Sequence, residues 1–182
     1  MVTEYGVNAI GDDRPGIVAA LSARLLEHGA NLDDSRMAIL RGRFAISLVI
    51  TLSDPEAIVP LRADLERAAA DLGLDAISVS PLGSQQQEVS SEPTHVVTVY
   101  GADHAGIVHA ITKTLAEQEA NILDLVTRLV PAEGEEESIY AMFIELSLDS
   151  EHAEEELWAA LERTAEEQGV EAALSPYEVD EL

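Results

Sequence analysis

The feature that most constrains the fold of this 182-residue chain is an internal duplication. Residues 11–34 align without a gap to residues 101–124, at an offset of 90, with 11 identities in 24 positions. After a six-residue insertion in the second copy the offset becomes 96, and the apolar positions of 44–52 then match those of 140–148. A self-similarity of this kind marks repeated structural units. The chain is therefore predicted to contain two copies of one small domain.

Each copy has the same order of predicted secondary-structure elements. Short β-branched runs that end at a glycine predict strands, whereas apolar residues at helical spacing predict helices, with Pro15 in the first helical turn. A tight turn at Arg41-Gly42 joins two strands, and Gly73 is a natural helix C-terminus. In the first copy the predicted elements are a strand at 4–10, a helix at 15–28, strands at 31–40 and 43–52, a helix at 55–72 and a strand at 74–80.

The order β-α-β-β-α-β predicts an α+β, ferredoxin-like fold, in which two helices cover one face of an antiparallel sheet. We expect one module at residues 1–81 and a second at 94–182, the latter ending in an acidic C-terminal tail. The segment 82–93 is polar, lacks periodicity and ends in proline, so it is predicted to be a linker. An acidic run at 131–137 is interpreted as a solvated hairpin loop.

The charge of the chain limits its partners. Ten basic residues stand against 35 acidic ones, which gives a formal charge of −25. Because nucleic-acid affinity comes largely from neutralising phosphates with Lys and Arg, direct nucleic-acid binding is not expected. A high-salt source would explain such acidity, and so would a demand for solubility. With no cysteine, no apolar run long enough for a membrane span and no signal-like start, we expect a cytoplasmic protein without membrane contact.

The turn between the first strand and the first helix is the best candidate site. A helix N-terminus offers unpaired N–H groups and partial positive charge to a carboxylate, and Gly16 permits close approach to the N–H groups of Gly16 and Ile17. Asp12 or Asp13 is placed to receive an ammonium group, so the turn suits an amino acid. The alternative is that Asp13 only caps the helix and that Pro15 and Gly16 only shape the turn.

Residues 12–18, followed by Leu25 and by Asn31-Leu32, resemble the opening of an ACT domain, a small βαββαβ module that binds amino acids and regulates metabolism. Two such modules without a catalytic domain most resemble the glycine cleavage system transcriptional repressor family. The resemblance implies ligand binding between paired modules, where the strand-to-helix turn of one faces the start of the second strand of the other. It assigns Asp13, Arg14, Gly16, Ile17 and Asn31 to a first site, and Asp103, His104, Gly106, Ile107 and Asn121 to a second.

The second turn departs from the family pattern, with His104 in place of Arg14 and Ala105 in place of Pro15. We therefore expect the two sites to be unequal. Asn31 and Asn121 carry amides that both donate and accept hydrogen bonds. Each is equally interpretable as a turn residue at the entry to a strand.

Catalysis and metal binding are not expected. His104 and His109 are five residues apart, so they do not share a helix face as an i, i+4 pair of metal ligands would. No nucleophile-elbow, dinucleotide-binding or phosphate-loop motif occurs. We predict a non-enzymatic regulator without cofactor or metal that senses glycine, serine or a similar small amino acid and acts on a protein partner, either a transcription factor or a metabolic enzyme. The alternative is an interaction module without ligand. Homodimerisation is compatible with both of these functions.

Overall fold

The computed structural model describes residues 3–83, 92–131, 138–148 and 151–178. The chain divides into two compact units, Met1–Gln86 and Gln87–Leu182. Most of the predicted linker, the acidic hairpin loop after Pro131 and the last four residues of the acidic tail lie outside the described residues. None of the described helices is both long enough and apolar enough to cross a membrane.

The first unit has the predicted order of elements. They are β1 (Thr3–Asp12), α1 (Ile17–Glu27), β2 (Ala30–Leu40), β3 (Arg43–Leu52), a 3-10 turn (Pro55–Ala57), α2 (Ile58–Leu72) and β4 (Leu74–Pro81). The strands form one sheet in the order β2-β3-β1-β4, and all three pairings are antiparallel. The helix predicted at 55–72 therefore begins as a 3-10 turn, where the side chain of Asp54 accepts a hydrogen bond from the N–H of Glu56.

The second unit repeats this architecture. Its elements are β5 (His95–Ala102), α3 (Ile107–Glu117), β6 (Asn121–Pro131), β7 (Ser138–Ser147), α4 (Glu151–Gln168) and β8 (Val170–Pro176). The sheet order is β6-β7-β5-β8, again antiparallel throughout. The predicted ferredoxin-like pattern is thus confirmed in both copies.

The two sheets share an irregularity in the pairing of their edge strand, and the first sheet has a tight hairpin turn at the end of that strand. Arg41 and Gly42 have φ angles of 51° and 80°, as a two-residue hairpin between β2 and β3 requires. A register irregularity between Leu32 and Asp34 has its counterpart between Ile122 and Asp124, at the offset of 90. Even this irregularity of the edge strand is therefore duplicated.

Each unit has its own hydrophobic core between the sheet and its two helices. In β3 every second residue from Phe44 to Leu52 is buried, which is the alternation predicted for a strand with one covered face. The edge strand β2 behaves differently, because all of its residues after Ala30 are exposed. Its apolar residues Met37 and Ile39 therefore add little to the core.

The two helix pairs are joined by different polar contacts. In the first unit His28 Nε2 lies 2.5 Å from Asp64 Oδ2 of α2, and this contact lowers the pKa of the Asp64 carboxyl. In the second unit the hydroxyl groups of Thr114 and Thr164 are 2.8 Å apart and join α3 to α4. The two units thus have the same fold, but different side chains make the polar contact between their helices.

Candidate functional site

The first strand-to-helix turn ends in a glycine N-cap. Gly16 has φ 96° and ψ −7°, a left-handed conformation that favours glycine, and no side chain caps α1. The helix proper begins at Ile17, so the expectation that Pro15 lies in the first helical turn is wrong. Asp13 does not cap the helix either, because the N-cap falls three residues later. The first N–H groups of α1 are thus left without a side-chain partner.

The second turn has the same geometry without the proline. Gly106 has φ 111° and ψ −19°, and no side chain caps α3. Ile107, like Ile17, is almost completely buried, so only the backbone of either isoleucine is available to a ligand. The rare conformation of the glycine therefore does not depend on the proline.

Asp12 is held by an ion pair at the end of the first sheet. Its carboxylate pairs with the guanidinium of Arg43, which also pairs with Asp75 at the start of β4. The second unit has Ala102 and Ile139 at the positions of Asp12 and Arg43. Asp12 therefore has a structural partner that sequence reasoning did not identify, since Arg43 is 31 residues away in the chain.

Asp13 and Asp103 occupy equivalent exposed positions, 90 residues apart, between the first strand and the glycine N-cap. The backbone N–H of Asp13 donates to the carbonyl of Gly42 at 3.0 Å, which fixes the turn against the β2–β3 hairpin. The Asp13 side chain has no hydrogen bond or ion pair among the described residues. Of the two carboxylates proposed for the first turn, that of Asp13 is the one available to an ammonium group.

Arg14 and His104 both reach the end of the second helix of their unit. A Cβ placed on Gly73, which follows α2, would lie 2.5 Å from Nη2 of Arg14. His104 Nε2 lies 2.8 Å from the carbonyl oxygen of Gln168, the last residue of α4, and its Nδ1 lies 3.2 Å from that of Ala105. Both side chains thus connect the turn to a helix C-terminus, a favourable place for a cation.

Asn31 and Asn121 lie at the opposite end of the sheet from the turns of their own units. Asn31 is opposite Thr51, which is opposite Glu4, eight residues before Asp12. At about 3.4 Å per residue, the two ends of β1 are about 27 Å apart. The Asn31 side chain donates to Oδ1 of Asp33 at 2.5 Å. A single unit therefore does not bring its turn and its asparagine together.

Comparisons with known proteins agree with this architecture. The ACT domain family model matches residues 7–78 and 94–175. A UPF0237 protein of Methanopyrus kandleri is 43% identical over 77 residues, covering 42% of this chain and 86% of that protein. The glycine cleavage system transcriptional repressor of Escherichia coli is 30% identical over 129 residues, covering 71% of this chain and 66% of the repressor.

A solved structure matches along almost the whole chain. An unknown protein from Galdieria sulphuraria is 30% identical with a TM-score of 0.80, and the match covers 98% of this chain and 100% of that one. The resemblance inferred from the turn motif is thereby confirmed, as is the duplication of the motif. The chain belongs to the ACT domain family and carries two ACT domains in tandem.

Proposed function

We propose that this protein is a non-enzymatic regulator that binds a small, neutral amino acid at its strand-to-helix turns and passes the binding signal to a protein partner. The observation that supports this most is the pair of helix N-termini opened by Gly16 and Gly106, neither capped by a side chain. Backbone N–H groups at such a terminus suit a carboxylate. The exposed carboxylates of Asp13 and Asp103 lie three residues before these glycines in the chain and suit an ammonium group.

The charge of the protein favours a zwitterion over an acidic ligand. A dicarboxylate is repelled by a chain of formal charge −25, although salt screens this repulsion beyond about 8 Å. Glycine and serine carry no net charge and avoid most of that cost. Their small side chains also allow the carboxylate to approach the glycine backbone closely. We therefore expect glycine or serine to bind more tightly than glutamate or aspartate.

We propose that the binding signal is transmitted because the ligand has different affinities for different arrangements of the modules. A ligand shifts a conformational equilibrium only by as much as it prefers one state over the other. If a ligand takes its contacts from a turn of one module and an asparagine of another, it stabilises the arrangement in which both are in reach. That arrangement would then bind the protein partner more or less tightly. Similarity to a protein named as a transcriptional repressor suggests a partner in transcription.

Thermal shifts with the twenty amino acids should identify the ligand. Binding to the folded state adds RT ln(1 + [L]/Kd), about 2.7 kcal/mol at a hundredfold excess over Kd. We expect a selective rise in Tm with one or two small amino acids, measured at low and at high salt. No shift with any amino acid, in a protein that unfolds cooperatively, would contradict the proposal.

Substitutions should locate the site. Asp13→Asn is expected to reduce the ligand-induced shift by removing the carboxylate that faces the ammonium group, and Asn31→Ala is expected to do the same from the strand. Asp71→Asn is a matched control, because it makes the same change of charge on the exposed face of α2. Equal losses in the control and in Asp13→Asn would attribute the effect to overall charge instead.

We further propose that the protein acts without contacting DNA itself. A chain with ten basic and 35 acidic residues has few cations with which to neutralise phosphates. In a gel-shift assay with random and promoter fragments, the purified protein alone is expected to give no retarded band. Sequence-specific retardation by the protein alone would overturn this part of the proposal.

An interaction module without ligand is the second candidate function, and one surface favours it. The sheet face of the second unit away from its helices exposes the rings of Tyr100 and Phe143, which meet edge to face at 5.7 Å between centroids. Aromatic residues are enriched at binding hot spots. The equivalent positions of the first unit are Ile10 and Ser47, so this aromatic pair is specific to the second copy. Trp158 is half-buried on α4 and a weaker candidate anchor.

A further inference from the structure

The hydrogen bonding of His104 depends on its protonation state. Both of its ring nitrogens face backbone carbonyl oxygens, at 2.8 Å for Gln168 and 3.2 Å for Ala105. A carbonyl oxygen only accepts, and a neutral imidazole carries one N–H. The two contacts are therefore both hydrogen bonds only when the ring is protonated and carries an N–H on each nitrogen.

The surroundings of His104 favour its charged form. Gln168 ends α4, so its carbonyl lies at the negative end of the helix dipole. The hydrogen bond to Gln168 is the largest cause that raises the pKa of His104 above 6.5, followed by the bond to Ala105. Asp103, on the same turn, acts in the same direction, while partial desolvation opposes it.

The other ionisable groups around this contact do not compensate for loss of the proton. Tyr140 of β7 has a raised pKa, because it is buried and near Asp103, and so it is neutral near pH 7. The last turn of α4 carries the exposed carboxyl side chains of Glu166 and Glu167. Deprotonation of His104 thus removes the positive charge from the junction of the turn and the end of α4.

The first unit has the same junction with a permanent charge. Arg14 is the equivalent of His104, and its guanidinium lies against Gly73 beyond the end of α2. Arginine cannot be deprotonated in proteins, so this contact persists at every physiological pH. The duplicated junction is proton-sensitive in one copy only.

We propose that the contact between His104 and the end of α4 is a proton-operated latch that holds the second turn while the ring is protonated and releases it when the ring loses its proton. The latch also bears on the proposed ligand site, an extension that rests on the proposed function. Gln168 Oε1 lies 3.6 Å from where a Cβ on Gly106 would be, so a side chain from the end of α4 lies next to the exposed glycine N-cap of α3. In the first unit, no described atom lies within 4 Å of a Cβ on Gly16.

The sign of the pH dependence follows from the direction of the pKa shift. Because the folded state raises the pKa of His104, its contribution to stability is fully present below pH 6.5. That contribution is lost as the pH rises through the raised value. Over this window the free energy of unfolding of the second unit should fall as the pH rises, with a slope that corresponds to about one proton.

An NMR titration of the histidine ring protons in the intact wild-type protein tests the latch directly. The His104 resonance, assigned by its loss in His104→Arg, is expected to titrate with a midpoint above 6.5, the ordinary value for histidine. A midpoint at or below 6.5 would overturn the proposal. No destabilising variant enters the titration itself, because the resonance is read in the wild-type protein.

Exchanging the residues at positions 14 and 104 tests whether only the junction in the second unit responds to pH. Trp158 is the only tryptophan and lies on α4, so its fluorescence reports unfolding of the second unit. His104→Arg should flatten the pH dependence of that transition above pH 6.5, and His109→Gln, which removes an exposed imidazole outside this contact, is the control. Arg14→His should add an equivalent pH dependence to the unfolding of the first unit, measured by circular dichroism. Persistence of the slope in His104→Arg would contradict the proposal.

Titrations with glycine and serine at pH 6 and pH 8 separate this inference from the proposed function. If neither amino acid binds at either pH, the proposed function fails while the NMR titration still decides the latch. If binding occurs, the latch predicts that Asp103→Asn alters affinity differently at the two pH values, and that Asp13→Asn does not. Equal pH dependence at the two turns would overturn the link between latch and ligand.

Discussion

Replacing Phe44 by alanine should destabilise the first unit by about 3–5 kcal/mol, the usual cost of removing a fully buried aromatic side chain. Phe44 is 1% exposed and is opposite Gly11 in the sheet, at the end that carries the strand-to-helix turn. Gly11 has no side chain that could move into the space that the ring would vacate. Urea unfolding followed by circular dichroism measures the change.

Ile39→Ala is the matched control for Phe44→Ala. Ile39 is the partner of Phe44 across β2 and β3 but lies on the exposed edge strand, so its truncation should cost much less. Trp158 fluorescence then shows whether the loss in Phe44→Ala stays in the first unit or also lowers the stability of the second. Equal costs at Phe44 and Ile39 would show that the core is not organised as described.

Gly11→Ala should cost about 1–3 kcal/mol, by forcing β1 away from β4. A Cβ on Gly11 would lie 2.7 Å from the Cα of Leu74 and 3.3 Å from the N of Asp75, and these are backbone atoms that cannot rotate away. The pairing of β1 with β4 already shifts register between Ile10 and Gly11. The displacement would reach Asp13 and Gly16, so weaker amino-acid binding is expected together with a lower midpoint of urea unfolding.

Gly83→Ala provides the control for this substitution. Nothing lies within 4 Å of a Cβ on Gly83 and its φ is not in the left-handed region, so no change in stability is expected. Gly101→Ala, at the equivalent position of the second unit, should cost less than Gly11→Ala. Its nearest neighbour is the side-chain Cγ1 of Val170, at 2.7 Å, and the Val170 backbone is farther, at 3.1 Å. The reverse ranking would count against this steric explanation.

The sequence by itself determined the duplication, the order of elements in each copy and the fold. These follow from local information, because periodicity distinguishes helix from strand and turn residues mark the ends of elements. The Arg41-Gly42 hairpin and the end of α2 before Gly73 were predicted correctly for that reason. Repetition strengthened each assignment, since the same pattern occurs twice at a constant offset.

Side-chain partnerships were decided only by the tertiary structure. The pairing of Asp12 with Arg43 depends on which strands become neighbours, and the contact of His104 with Gln168 joins residues 64 positions apart. The N-cap at Gly16, rather than at Asp13, depends on how the turn is anchored to the β2–β3 hairpin. Such contacts are set by the packing of distant segments, and a pattern read along the chain carries no distance between them.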